Sequence, residues 1–168
     1  MSPKLRRAML ALGMMLLLAV VQVTIIPLIG IGEVQPSVLL IGVVFVSLRE
    51  GQYTAMLTAF PAGLLADAYL SGVVGICSLA LTITAFVTGL FHDEEKAGLL
   101  IRSPRVLAII LLGAIVYHLV YLFAYFRSMN LDILALIGMH VLGAAAYSTL
   151  LSTIPLLLLA RRTPRLKV

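Results

Sequence analysis

The stretch PSVLLIGVVFVSLREGQYTAMLTAFPAGLLAD, residues 36–67, decides how this chain folds. Read as one helix, it would place Arg49 and Glu50 near the middle of an apolar layer. In a bilayer that costs roughly 2.5–3.5 kcal/mol for the arginine alone. Read as two helices, it turns at Arg49-Glu50-Gly51 and keeps both charges at an edge. The first half, Pro36 to Leu48, is then only about 20 Å long at 1.5 Å per residue, with Pro36 suited to its first turn. The second half runs from Gln52 to about Ala66 and ends near Asp67.

The rest of the chain makes a membrane the relevant solvent. Of its 168 residues, 62% are hydrophobic and 11% charged, with a mean hydropathy of +1.14. Soluble domains run about 45–50% apolar and about 25% charged, and a domain of roughly this size leaves about a third of its surface in water. That excludes a cytosolic enzyme, a nucleic-acid-binding domain and a disordered tail. The single Cys77 forms no internal disulfide, and no Cys/His cluster has metal-ligand spacing, so no cofactor is expected.

A helix needs about 20 apolar residues to cross the ~30 Å hydrocarbon layer. The reading is all-α, a single polytopic domain over residues 1–168 with six transmembrane helices at about 8–29, 36–48, 52–66, 72–91, 105–126 and 132–160. The first begins like a signal peptide, but its apolar run is too long and lacks an A-x-A site, so it is expected to stay as a span. Six spans with a cytoplasmic N-terminus place Lys4, Arg6, Arg7, Arg49, Lys96, Arg102, Arg105, Arg161, Arg162, Arg165 and Lys167 inside and only Arg127 outside. That bias sets the orientation, with both termini cytoplasmic. Residues 92–104 form either a short interfacial helix or a solvated loop on the cytoplasmic side.

Few residues carry chemistry. Asp67 and Asp132 fall near outer helix ends, Glu33 lies in an outer loop, and no HExxH, GxSxG or Walker loop occurs. An enzyme is therefore not expected. His118 and His140 fall at similar depth on the fifth and sixth spans, roughly 12 Å below the outer face. They form either a shared site for a metal, a haem or a proton, or two neutral imidazoles bonded to backbone, to each other or to Tyr121. The structural reading is preferred, because a histidine pair without a carboxylate or cysteine nearby is a poor ligand set. Tyr117, Tyr121 and Tyr125 make an aromatic stripe on the fifth span, and Ser78, Thr82, Ala85 and Gly89 give the fourth a small, weakly polar face. Ala55, Ala59, Gly63 and Asp67 recur every four residues on the third span. This small-residue stripe packs either against the chain's own helices or against a partner, with Asp67 meeting backbone donors or a partner's basic residue at its outer end.

Pro36-Ser37-Val38-Leu39-Leu40, leading to Arg49-Glu50-Gly51 and then to Gly63-Leu64-Leu65-Ala66-Asp67 and Gly72-Val73-Val74-Gly75, is similar to the MreD family, rod-shape-determining membrane proteins of bacteria. The family's aspartate or asparagine after the proline is Ser37 here. The resemblance implies a bundle resembling the substrate-binding subunit of energy-coupling-factor transporters. It further implies a non-enzymatic scaffold of the elongation machinery in the bacterial inner membrane, supporting cell shape and peptidoglycan synthesis. Its expected partners are a bitopic MreC-like protein, with the transpeptidase PBP2 and glycosyltransferase RodA downstream, and membrane lipids; no nucleic acid is expected.

The alternative from another class is the substrate-binding membrane subunit of a small-solute transporter, favoured by fold analogy alone. Such subunits carry an A-x-x-x-A pattern in the first helix. Here Ala8, Ala11 and Ala19 are followed four residues later by Leu12, Met15 and Val23.

Overall fold

In hydrocarbon every backbone donor and acceptor must be satisfied within the protein, which favours helices over open sheets. The computed structural model describes residues 3–25, 37–69, 74–93 and 105–126. These form five α-helices and, among the described residues, no strand: α1 (Pro3–Thr24), α2 (Val38–Glu50), α3 (Gln52–Tyr69), α4 (Ile76–Gly89) and α5 (Arg105–Phe126). The expected sixth span, together with Glu33, Lys96, Arg102, Arg127, Asp132, His140 and the basic residues 161–167, lies outside the described residues.

Local chemistry sets the helix ends. Ser37 N-caps α2, its Oγ accepting from the Leu40 N–H at 3.2 Å. The helix therefore starts two residues after the Pro36 expected in its first turn. Gly51 closes α2 with φ +88°, a conformation that strains any residue with a side chain, and its N–H donates to the Ser47 carbonyl at 3.2 Å. α3 begins at the next residue, so residues 38–69 are two helices joined at Gly51.

Other boundaries shift from the sequence reading. α1 starts at Pro3 and carries Lys4, Arg6 and Arg7 within its first turns, because basic side chains at a helix end can reach polar surroundings without breaking it. α3 continues through Asp67 to Tyr69, since that carboxylate serves a neighbouring helix rather than ending its own. α4 begins only at Ile76, after Gly75 at φ +103°, and ends at Gly89, which leaves it 14 residues long.

α2 is the central element: it packs against each of the other four helices, while α3 also contacts α1 and α4, and α4 contacts α5. Leu39, Leu40, Val43, Val44 and Leu48 are essentially fully buried, and none of the exposed large hydrophobics belongs to α2. Gly113 lets α5 approach closely, since a Cβ there would lie 3.1 Å from both the Thr88 and Val44 side chains.

The distribution of polarity is that of a protein dissolved in lipid. Ser47, Thr58, Thr84 and Thr88 are buried, each hydroxyl donating to the carbonyl four residues earlier at 2.7–2.9 Å. Leu10, Leu17, Leu57, Phe60, Leu79, Phe86 and Phe123 face outward. A water-soluble monomer rarely exposes so much contiguous apolar surface, whereas membrane helices place small and weakly polar residues at their contacts. Among the described residues one helix, Leu5–Thr24, is long and apolar enough by itself to cross a membrane; Ile76–Gly89 and Arg105–Tyr121 are shorter apolar helices.

Contacts at the helix termini give the chain direction. Gln22 at the end of α1 meets Val38 at the start of α2, and Asp67 near the end of α3 meets Ser78 at the start of α4. At the opposite end, Leu48 meets His92 and Gln52 meets Phe86. Consecutive helices α1 to α4 thus run antiparallel. The second end also carries the basic residues of the described chain: Lys4, Arg6 and Arg7 on α1, Arg49 on α2 and Arg105 at the start of α5. These are termed the capped end and the basic end below.

Candidate functional site

α2 and α4 both begin inside the bundle, where the first N–H groups of a helix have no intrahelical acceptor. Without water an unmet donor is expensive, and other elements supply the acceptors. The resulting polar layer at the capped end is where Asp67, Ser78 and Tyr117 of the sequence-predicted residues are held.

The capped-end part of the small-residue stripe of α3, Gly63 and Asp67, builds half of it, while Ala55 and Ala59 lie deeper along the helix toward the basic end. Ala55 and Ala59 are fully buried. At Gly63 the α3 and α4 backbones touch: an added Cβ would lie 2.8 Å from the Ser78 nitrogen and overlap its Cα. One turn further on, this close approach delivers Asp67 to the start of α4. Its Oδ2 accepts from the N–H groups of Gly75 and Ser78, both at 3.0 Å, and its Oδ1 from that of Cys77 at 3.1 Å. The carboxylate is 7% exposed and sits at the positive end of the helix dipole, where a negative charge is stabilised. Ser78 completes the junction by donating its hydroxyl to the Phe60 carbonyl at 2.9 Å, next to Pro61, whose ring nitrogen has no hydrogen to give its own helix.

The other half caps α2. Gln22 of α1 accepts from the Val38 N–H at 2.7 Å through Oε1. The Ser37 side chain reaches the Tyr117 hydroxyl, which also lies 3.5 Å from the Cys77 thiol. One set of contacts therefore joins the starts of α2 and α4 to the middle of α5. Serine is among the best N-cap residues, so the polar side chain at this position has a structural role in starting α2. Tyr117 stacks on Tyr121 with ring centroids 6.1 Å apart. His118 donates through Nδ1 to the Ala114 carbonyl of its own helix at 2.8 Å, with its ring edge-on to Tyr117. The expected partner His140 lies outside the described residues.

A smaller cluster ties the basic end together. His92 donates through Nδ1 to the Leu48 carbonyl at 2.8 Å, satisfying an acceptor that α2 leaves open at its C-terminus. Gln52 donates through Nε2 to the Phe86 carbonyl at 3.2 Å, and Gly89 leaves room for the Gln52 backbone. The Arg49–Glu50 pair, at 3.5 Å with Arg49 exposed, adds little by comparison.

Sequence reasoning singled out Asp67, the stripe, the tyrosines and His118, but not Gln22 or His92. Gln22 had a usable signal, being the only amide side chain in its apolar run. His92 had none, because it reads as part of a charged loop. The polar side chains of both ends hold helix termini. Among the described residues no group of three His, Cys, Asp or Glu lies close enough to hold a metal.

Set against known proteins, the chain matches the family model of the rod shape-determining protein MreD over residues 4–161. No curated protein and no solved structure matches it.

Proposed function

Because the chain belongs to the rod shape-determining MreD family, we propose that it is a non-enzymatic scaffold of the cell-elongation machinery. Membership makes it a membrane protein of cell shape. In the finer reading it spans the bacterial inner membrane six times with both termini cytoplasmic. It holds the transmembrane helix of a bitopic MreC-like partner, and so supports peptidoglycan synthesis by PBP2 and RodA.

The observation that carries this reading is the family match, which spans nearly the whole chain. Two structural features support it. Asp67, Gln22, Ser37 and His92 are engaged in capping helices, which suits a rigid body that acts through its surface. The basic residues of the described helices gather at one end, as a cytoplasmic face requires. Affinity purification of the tagged chain from its native membrane tests the proposal. Recovery of a single-span partner is the expected result; recovery of an ATP-binding-cassette module instead would favour the transporter subunit and overturn it.

A further inference from the structure

The four described helices that pack on α2 form an arc around it. α1 contacts α3, α3 contacts α4 and α4 contacts α5, but α5 and α1, the two ends of the arc, do not pack together. One side of the central helix therefore lies between them, and its residues show which side. At about 3.6 residues per turn, a circuit of α2 passes Ser47, Val44, then Ile41, Phe45 and Val38, then Gly42. Ser47 Oγ lies 3.3 Å from the Ala85 carbonyl of α4. Val44 stands where α5 comes in at Gly113, and a Cβ at Gly42 would strike Leu18 and Met15 of α1. Between the α5 contact and the α1 contact runs the Val38–Ile41–Phe45 stripe. These are the only apolar residues of α2 that are half-buried rather than buried.

The chain contains a segment able to reach this groove. α5 runs from Arg105 at the basic end to Phe126 at the capped end. Only residues 127–131 separate it from Asp132, and a link of that length reaches at most about 20 Å, or two helix-to-helix distances of about 8–10 Å. Residues 133–160 carry no charged side chain and exceed the about 20 residues that a crossing needs. They include Gly138, Gly143, Ala144, Ala145 and Ala146, the small residues that close packing of membrane helices uses. The other segments outside the described residues fit less well. Residues 26–36 and 70–73 are too short to cross, and residues 94–104 carry Glu94, Glu95, Lys96 and Arg102.

We infer that residues 133–160 occupy the groove between α1 and α5, cover the Val38–Ile41–Phe45 stripe and close the ring around α2. This rests on the six-span part of the proposed function. Tethering decides between this segment and a foreign helix, because a short linker holds it at a local concentration on the order of millimolar. A partner's helix or a second copy of the chain meets an occupied groove and has to bind the outside of the bundle.

A photo-cross-linking phenylalanine analogue at Phe45 of the full chain, irradiated in the native membrane and mapped by peptide mass, tests the inference. The expected product is a cross-link within one chain to a peptide from residues 133–160. Ile41 serves as a second position should the Phe45 variant fail to fold, and Leu57, exposed on α3, should give no cross-link to that segment. Capture of another protein, of a second copy or of lipid alone from both Phe45 and Ile41 overturns the inference. A topology reporter after Lys167 separates the two readings. A cytoplasmic signal with the internal cross-link missing overturns the docking alone, whereas a periplasmic signal overturns the six-span reading as well.

Discussion

Replacing Asp67 isolates the contribution of one buried carboxylate to the bundle. In Asp67→Ala, the N–H groups of Gly75, Cys77 and Ser78 lose their acceptor together. Each unsatisfied buried donor costs about 1–3 kcal/mol. Some relief comes as the first turn of α4 frays, so the expected loss is about 3–5 kcal/mol, a large part of a stability of typically ~5–15 kcal/mol. Asp67→Asn should cost less. Its amide oxygen can take the Oδ2 position and keep the Gly75 and Ser78 bonds, while its NH2 group faces the Cys77 N–H donor to donor. One lost bond and the lost charge–dipole attraction amount to about 2 kcal/mol. At ~2–4 °C per kcal/mol for a chain of this size, thermal unfolding in detergent should fall by about 4–8 °C for Asp67→Asn and by more for Asp67→Ala. Equal drops would contradict the three-donor geometry, and no drop in Asp67→Ala would refute the capping role altogether.

Other substitutions test the remaining parts of the framework. Gly63→Ala forces a methyl against the Ser78 backbone, so α3 and α4 must separate, at a cost of about 1–3 kcal/mol in the same assay; an unchanged melting temperature would show that they do not touch there. Ser37→Asn should hold stability to within a few tenths of a kcal/mol, whereas Ser37→Ala should lose about 1 kcal/mol of capping; the reverse order would mean that Ser37 acts through Tyr117 and not through α2. Glutamine at both His118 and His140 should leave cell shape and metal content unchanged. Stoichiometric metal in the parent protein that the double variant lacks would make the pair a ligand site.

The helices themselves were legible in the sequence, because in hydrocarbon a long apolar run has few alternatives to a helix. The turn at Arg49-Glu50-Gly51 was legible for the same reason: charge and a glycine mark where an apolar run must end. The Asp67 stripe could be drawn on a helix face, though its neighbour could not, since regular spacing states which residues align but not what they meet. Gln22 and Val38 lie sixteen residues apart, and Ser37 and Tyr117 far more. Their pairing depends on how helices stack, and nothing local encodes it. Two of the boundaries that moved, the start of α1 and the end of α3, share one cause. Arg6 and Asp67 look like helix terminators in sequence, but inside a bundle a charged residue can remain helical when its side chain finds a partner or a polar edge.

The proposed placement of the turn between α2 and α3 on the cytoplasmic side is the claim on which the orientation of the whole chain depends. Paired topology reporters inserted after Gly51 and after Tyr69 test it most directly. The account predicts a cytoplasmic signal at Gly51 and a periplasmic one at Tyr69; a periplasmic signal at Gly51, or the same signal at both positions, would contradict it.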